Sequence, residues 1–174
     1  MATFCRITVY LVVVAILSGC GTTYHVVPVN HSTDTTPFSV VGMIEYGGHN
    51  TEYLPRTVKQ DENATTGLPL INYVYNVGYG KDSVPEILPL FNPLSIVGFP
   101  IGSDNIVIVG VLKIIKRGEV LKQYSSTCVF DKNRSLFYEG DTFSELRKKG
   151  LLMVRNNIEN QMTNDRMYLS KLFQ

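Results

Sequence analysis

The chain has little of what chemistry usually needs. It holds three histidines, all before residue 50, and three cysteines. Neither type recurs at metal-ligand spacing, so no metal or other cofactor is expected. No nucleophile elbow, Walker loop, H-E-x-x-H pair or glycine-rich dinucleotide turn is present. Gly78-Tyr79-Gly80-Lys81 is too short and isolated to cradle phosphate. Charge is balanced, with 16 Lys+Arg against 15 Asp+Glu. That balance argues against nucleic acid as a partner and against a polybasic grip on anionic lipid. These absences favour a non-enzymatic protein.

What is present begins at the N-terminus. After Arg6, Ile7 to Leu17 is almost wholly apolar and uncharged. About eleven such residues are too few for a membrane-spanning helix, which needs about twenty. The layout is that of a secretory signal. It closes on Leu17-Ser18-Gly19-Cys20, and this resembles the lipobox of bacterial lipoproteins at all four positions. The resemblance implies cleavage between Gly19 and Cys20. It also implies acylation of the Cys20 thiol, palmitate included, so that acyl chains hold the protein on a membrane. Two or more chains give stable anchoring, at about 0.8 kcal/mol per buried CH2. Gly21, rather than Asp, follows the cysteine. In enterobacteria-like sorting that sends a lipoprotein to the outer membrane, facing the periplasm. With Cys5 removed and Cys20 lipidated, Cys128 has no intrachain partner. In an oxidising compartment it reads as a buried thiol, with a reactive thiol as the alternative.

Three divisions follow: 1–19 as signal peptide, 20–37 as lipidated N-terminus and flexible tether, and 38–174 as a single domain. About 155 residues after cleavage suffice for a real core. A tether of this length has an end-to-end distance of roughly 20 to 25 Å. Within it, Val26, Val27 and Val29 could pair as an edge strand. His25 and His31 read as solvated linker residues.

Phe38 to Tyr46 is β-rich and ends at Gly47-Gly48. An irregular stretch then runs to about Pro69. Leu70 to Tyr79 alternates, with Ile71, Tyr73, Tyr75, Val77 and Tyr79 on one face. Tyr73, Tyr75 and Tyr79 are candidate ligand-stacking residues; a plain cross-strand aromatic ladder is the competing reading. Val84 to Ile101 is mostly apolar, with one charge at Glu86 and four prolines that forbid a regular helix or central strand. It reads either as an apolar loop over the sheet or as a segment that docks on lipid or a partner.

Asn105–Ile115, Val120–Phe130 and Ser135–Tyr138, separated by polar turns at 116–119 and 131–134, predict a three-stranded antiparallel meander. Thr142-Phe143-Ser144-Glu145 fits a capping box. Leu151, Val154, Ile158 and Met162 then form one helical stripe, with Arg147, Lys148, Arg155, Asn156, Asn157 and Glu159 on the remaining surface. Gly150 interrupts the helix, as a close approach to the sheet would require. Thr163-Asn164-Asp165 reads as the cap of a second short helix. Asp61-Glu62-Asn63-Ala64-Thr65 and Asp131-Lys132-Asn133-Arg134-Ser135 resemble the extended bacterial N-glycosylation sequon, which makes Asn63 and Asn133 candidate acceptors; ordinary Asx-rich turns are the alternative.

The expected fold is α+β: an antiparallel sheet of about five strands packed by a C-terminal amphipathic helix. The expected function is that of a lipid-anchored accessory or scaffold of the cell envelope, touching an envelope protein or the membrane surface. The alternative is a small-ligand or glycan binder using the tyrosine-lined strand.

Overall fold

A computed structural model describes residues 21–30, 38–61, 68–81, 102–134 and 141–172. The Cys20 lipobox, Asn63, Val84–Ile101 and Ser135–Tyr138 lie outside these. Among the described residues six strands form one sheet: β1 (Thr22–Val27), β2 (Val40–Tyr46), β3 (Val58–Gln60), β4 (Leu70–Lys81), β5 (Gly102–Lys116) and β6 (Glu119–Arg134). Their order is β1-β6-β5-β4-β2-β3. Two helices follow, α1 (Phe143–Asn164) and α2 (Arg166–Leu172).

The α+β class holds, but the sheet is mixed rather than antiparallel and has six strands rather than five. The pairs β4–β5, β5–β6 and β6–β1 are antiparallel. β2 instead pairs in parallel with both β3 and β4. A parallel pair needs a crossover, since a tight hairpin cannot supply it. The stretch between Tyr46 and Leu70 provides one, carrying a 3-10 turn at Thr51–Tyr53 and β3 itself.

The β5–β6 hairpin forms because β-branched residues run along β5, which favours extended backbone, and a two-residue turn closes it. Arg117 and Gly118 both have positive φ, 55° and 83°. This is the turn whose twist matches paired strands, and glycine adopts it without steric cost. The sequence places a second turn at Asp131–Arg134, but β6 continues through it. There Lys132 pairs with both Thr22 and Asp104, and Asn133 pairs with Ser103. Asn133 therefore lies in a β ladder, not in the turn expected of an acceptor. The edge of β6 is taken by β1, which begins at Thr22. The region read as tether is thus folded into the sheet almost from its start.

Both helices cover the same face of the sheet. The even residues of β5 and β6, among them Ile106, Ile108, Leu112, Cys128 and Phe130, meet Leu146, Leu151, Val154, Ile158 and Met162 of α1 in one core. Each such side chain contributes about 1.5–3 kcal/mol on full burial. α1 comes close because a glycine lies on each side of the contact, Gly150 on the helix and Gly110 on β5. A Cβ on Gly150 would collide with Ile108 and Phe130, and one on Gly110 with Val154. Cys128 is a buried free thiol, as expected, and burial pushes it up to about 11.

Two polar residues assigned to the solvent side of α1 are buried: Asn157 and Glu159. Asn157 donates to the Pro28 carbonyl at 2.8 Å. Glu159 receives the Arg56 backbone N–H and pairs with the Arg56 guanidinium at 2.8 Å. They tie the segments after β1 and after the 3-10 turn onto the helix. The opposite face of the sheet bears exposed Val41, Met43 and Val74.

Candidate functional site

The start of α1 is fixed by its cap. Glu145 N–H donates to the Thr142 hydroxyl at 3.2 Å, and Thr142 N–H donates to the Glu145 carboxylate at 2.8 Å. These two bonds satisfy helix-end donors. The bonds from Thr142 hold the Glu145 carboxyl below its ordinary range. Past the cap, the first turns of α1 overhang the end of β4.

Two clefts meet there. One, of about 450 Å³, is lined by Tyr79, Gly80, Phe143, Ser144 and Arg147. The other, of about 330 Å³, is lined by residues including His49, Tyr53, Tyr75, Ser144, Arg147 and Lys148. Ser144 and Arg147 border both, so the first turns of α1 form the ridge between them. The Tyr79 and Phe143 rings meet edge to face at 5.9 Å and are 58 % and 41 % exposed. Lys132 Nζ donates to the Asp141 carbonyl at 2.8 Å and lies 5.5 Å from the Phe143 ring centre. Among the described residues, Arg147 has no acidic partner.

The three tyrosines named from the sequence separate. Tyr73 is fully buried and stacks on Tyr46 at 5.7 Å, so it cannot present a ring to a ligand. Among the described residues its hydroxyl has no hydrogen-bond partner. Tyr75 is half-buried against Tyr46 and Tyr53 and borders the smaller cleft. Only Tyr79 is well exposed. The row is an aromatic ladder at one end and a cleft wall at the other. Burial raises Tyr46 to about 12 and pushes Tyr73 and Tyr124 higher still.

Sequence reasoning missed Phe143 and Arg147. The signal was an aromatic residue directly after the capping threonine, where a helix faces solvent. His49 and Ser144 border one cleft, but no hydrogen bond joins them among the described residues, and the Glu145 carboxylate is engaged in the cap. The arrangement offers ring stacking and a cation. Among the described residues no group of three or more His, Cys, Asp or Glu could hold a metal ion, and no helix is long and apolar enough to cross a membrane. The chain matches no protein-family model, and none of the curated proteins compared with it is similar.

Proposed function

We propose that this chain is a lipid-anchored envelope lipoprotein, acylated on Cys20, which works as a non-enzymatic accessory or scaffold. The lipobox Leu17 to Cys20 supports the anchor, and Gly21 supports the outer membrane facing the periplasm. One structural observation carries the reading further: β1 begins at Thr22. Two residues of extended chain span at most about 7 Å, so an anchor on Cys20 holds the sheet at the membrane rather than standing it off. β4 and β5, the strands on either side of Val84–Ile101, end at the same side of the domain, at Lys81 and Gly102. Exposed Val41, Met43 and Val74, on the face opposite α1, suit contact with an envelope protein.

The test is Cys20→Ala in the producing cell, with fractionation and labelling by an alkyne fatty acid. The native chain should be labelled and sediment with membranes; the variant should do neither. A variant that stays in the membrane fraction would refute the anchor.

The smaller cleft favours a second reading, a small-ligand or glycan binder. Tyr53 and Tyr75 supply ring faces and edges, and His49 and Lys148 supply polar contacts. A thermal-shift series with neutral and acidic sugars should raise Tm in the native chain and not in Tyr75→Ala. A flat series in both would remove this reading.

A further inference from the structure

We propose that the β1-start end of the domain, built from Tyr24, Tyr79, Phe143 and the cations beside them, is a membrane-apposed surface that lies in the phospholipid headgroup layer. The inference rests on the Cys20 anchor.

The placement comes from strand register. Thr22 pairs with Lys132, Lys132 with Asp104, and Asp104 with Lys81. These four residues lie in line across the sheet, so the chain reaches Cys20 from the same end at which β4 and β5 terminate. α1 begins at that end too, since Lys132 holds the Asp141 carbonyl and touches the Phe143 ring. It runs away from it for 22 residues, or about 33 Å at 1.5 Å per residue.

The chemistry at this end is that of an interface. Tyr24, Tyr79 and Phe143 are 49 %, 58 % and 41 % exposed. Each ring sits beside another group that shapes it. Lys149 Nζ lies 5.2 Å from the Tyr24 ring centre and Lys132 Nζ 5.5 Å from that of Phe143, while Tyr79 meets Phe143 edge-on. Tyrosine rings settle at headgroup depth through their polar edge, Phe143 adds an apolar ring, and an exposed chain such as Lys149 keeps its stem in the apolar layer and its head in water. Lys132 lies in the field of the Glu145 carboxylate and pairs across the ladder with Asp104, which offsets its charge. Contact should therefore depend on the rings and only weakly on salt, unlike a polybasic surface.

The opposite end supplies an internal control. Met167 and Tyr168 of α2 are 75 % and 46 % exposed, comparable in kind but about 30 Å further from Cys20 along α1. Exposure alone does not separate the two ends; distance from the anchor does.

The experiment uses the mature acylated protein in nanodiscs of phosphatidylethanolamine and phosphatidylglycerol that carry a paramagnetic headgroup lipid. Acylation is read by intact mass, and NMR broadening is compared at the two ends. Tyr24, Tyr79 and Phe143 should broaden severalfold more than Met167 and Tyr168. The pattern should persist from 50 to 300 mM salt, and the double variant Tyr79→Ser/Phe143→Ser should weaken it. Equal broadening at both ends of an acylated chain overturns this inference and leaves the anchor intact. A pattern abolished by salt also overturns it, in favour of an electrostatic contact. An unacylated chain overturns the anchor and this inference with it. Broadening relieved by a soluble acidic sugar would assign the larger cleft to a ligand instead, and would overturn membrane apposition.

Discussion

From Leu151 to Met162, α1 is held by nearly every residue that faces inward. Leu151, Val154, Ile158 and Met162 enter the core, and Asn157 and Glu159 bind loops that are distant in sequence. From Phe143 to Gly150 only Leu146 and Gly150 are buried. One continuous helix is therefore a structural brace at one end and a surface at the other. The brace gains stability from each contact. The overhanging turns hold one exposed ring, Phe143, and three consecutive exposed cations, Arg147 to Lys149.

The largest effect that tests this contrast is Ile158→Ala. Its side chain is fully buried in the core, and truncation leaves a cavity. Unfolding free energy should fall by about 2–5 kcal/mol, read from urea midpoints at constant m. Glu159→Ala comes next. It leaves the Arg56 backbone N–H without its acceptor and frees the segment before β3. The expected loss is about 1–3 kcal/mol, well short of a fully buried ion pair because the Arg56 side chain is itself largely exposed. A loss below 0.5 kcal/mol, the range usual for surface changes, would mean the brace is apolar only.

Alkaline pH probes the aromatic part of the braced region. Burial raises Tyr46 from 10.0 to about 12, and raises Tyr73 and Tyr124 as well. Each stays protonated in the fold at a pH where the unfolded chain has lost the proton. Their contribution is complete below pH 10 and declines as pH rises from 10 towards 12. Urea midpoints should drop across that window, and Tyr46→Phe should flatten the drop. A midpoint constant through that window would contradict the burial assigned to these rings.

Much of the braced region was legible in the sequence, because it is made of periodicity. The α1 stripe, the capping box, the Gly150 close approach and strands β2, β4 and β5 all follow from local spacing. What was illegible depends on partners far along the chain. Asn157 and Glu159 look like surface residues until Pro28 and Arg56 arrive beside them. β3 is three residues, too short for a period. The parallel pairing of β2 is set by the crossover, which local pattern does not encode. Asp131 to Arg134 reads as a turn by composition, yet β1 and β5 flank it and extend the ladder. The cleft was half legible: Tyr75 and Tyr79 came from alternation, but Phe143 and Arg147 join them only through tertiary placement.

Tyr73 is an exception inside the braced region. Its hydroxyl is buried without a hydrogen-bond partner among the described residues, and such a group carries a desolvation cost of about 1–3 kcal/mol. Tyr73→Phe should leave stability unchanged or raise it by about 1 kcal/mol. A clear loss would show that the hydroxyl has a partner, such as a bound water.

The smallest effect is expected at Arg147, and it sharpens the contrast most. Arg147 lies in the second turn of α1, exposed and without an acidic partner among the described residues. A cation near a helix N-terminus opposes the helix dipole, an effect that fades within the first turn. Arg147→Ala should therefore leave unfolding free energy within about 0.5 kcal/mol, or raise it slightly. Thermal melts of the two chains should superimpose. A residue that costs the fold nothing to lose, and that borders both clefts, belongs to the surface rather than to the brace. Were Arg147→Ala to destabilise like Glu159→Ala, the overhanging turns would be bracing the fold too, and the division of α1 into brace and surface would fail.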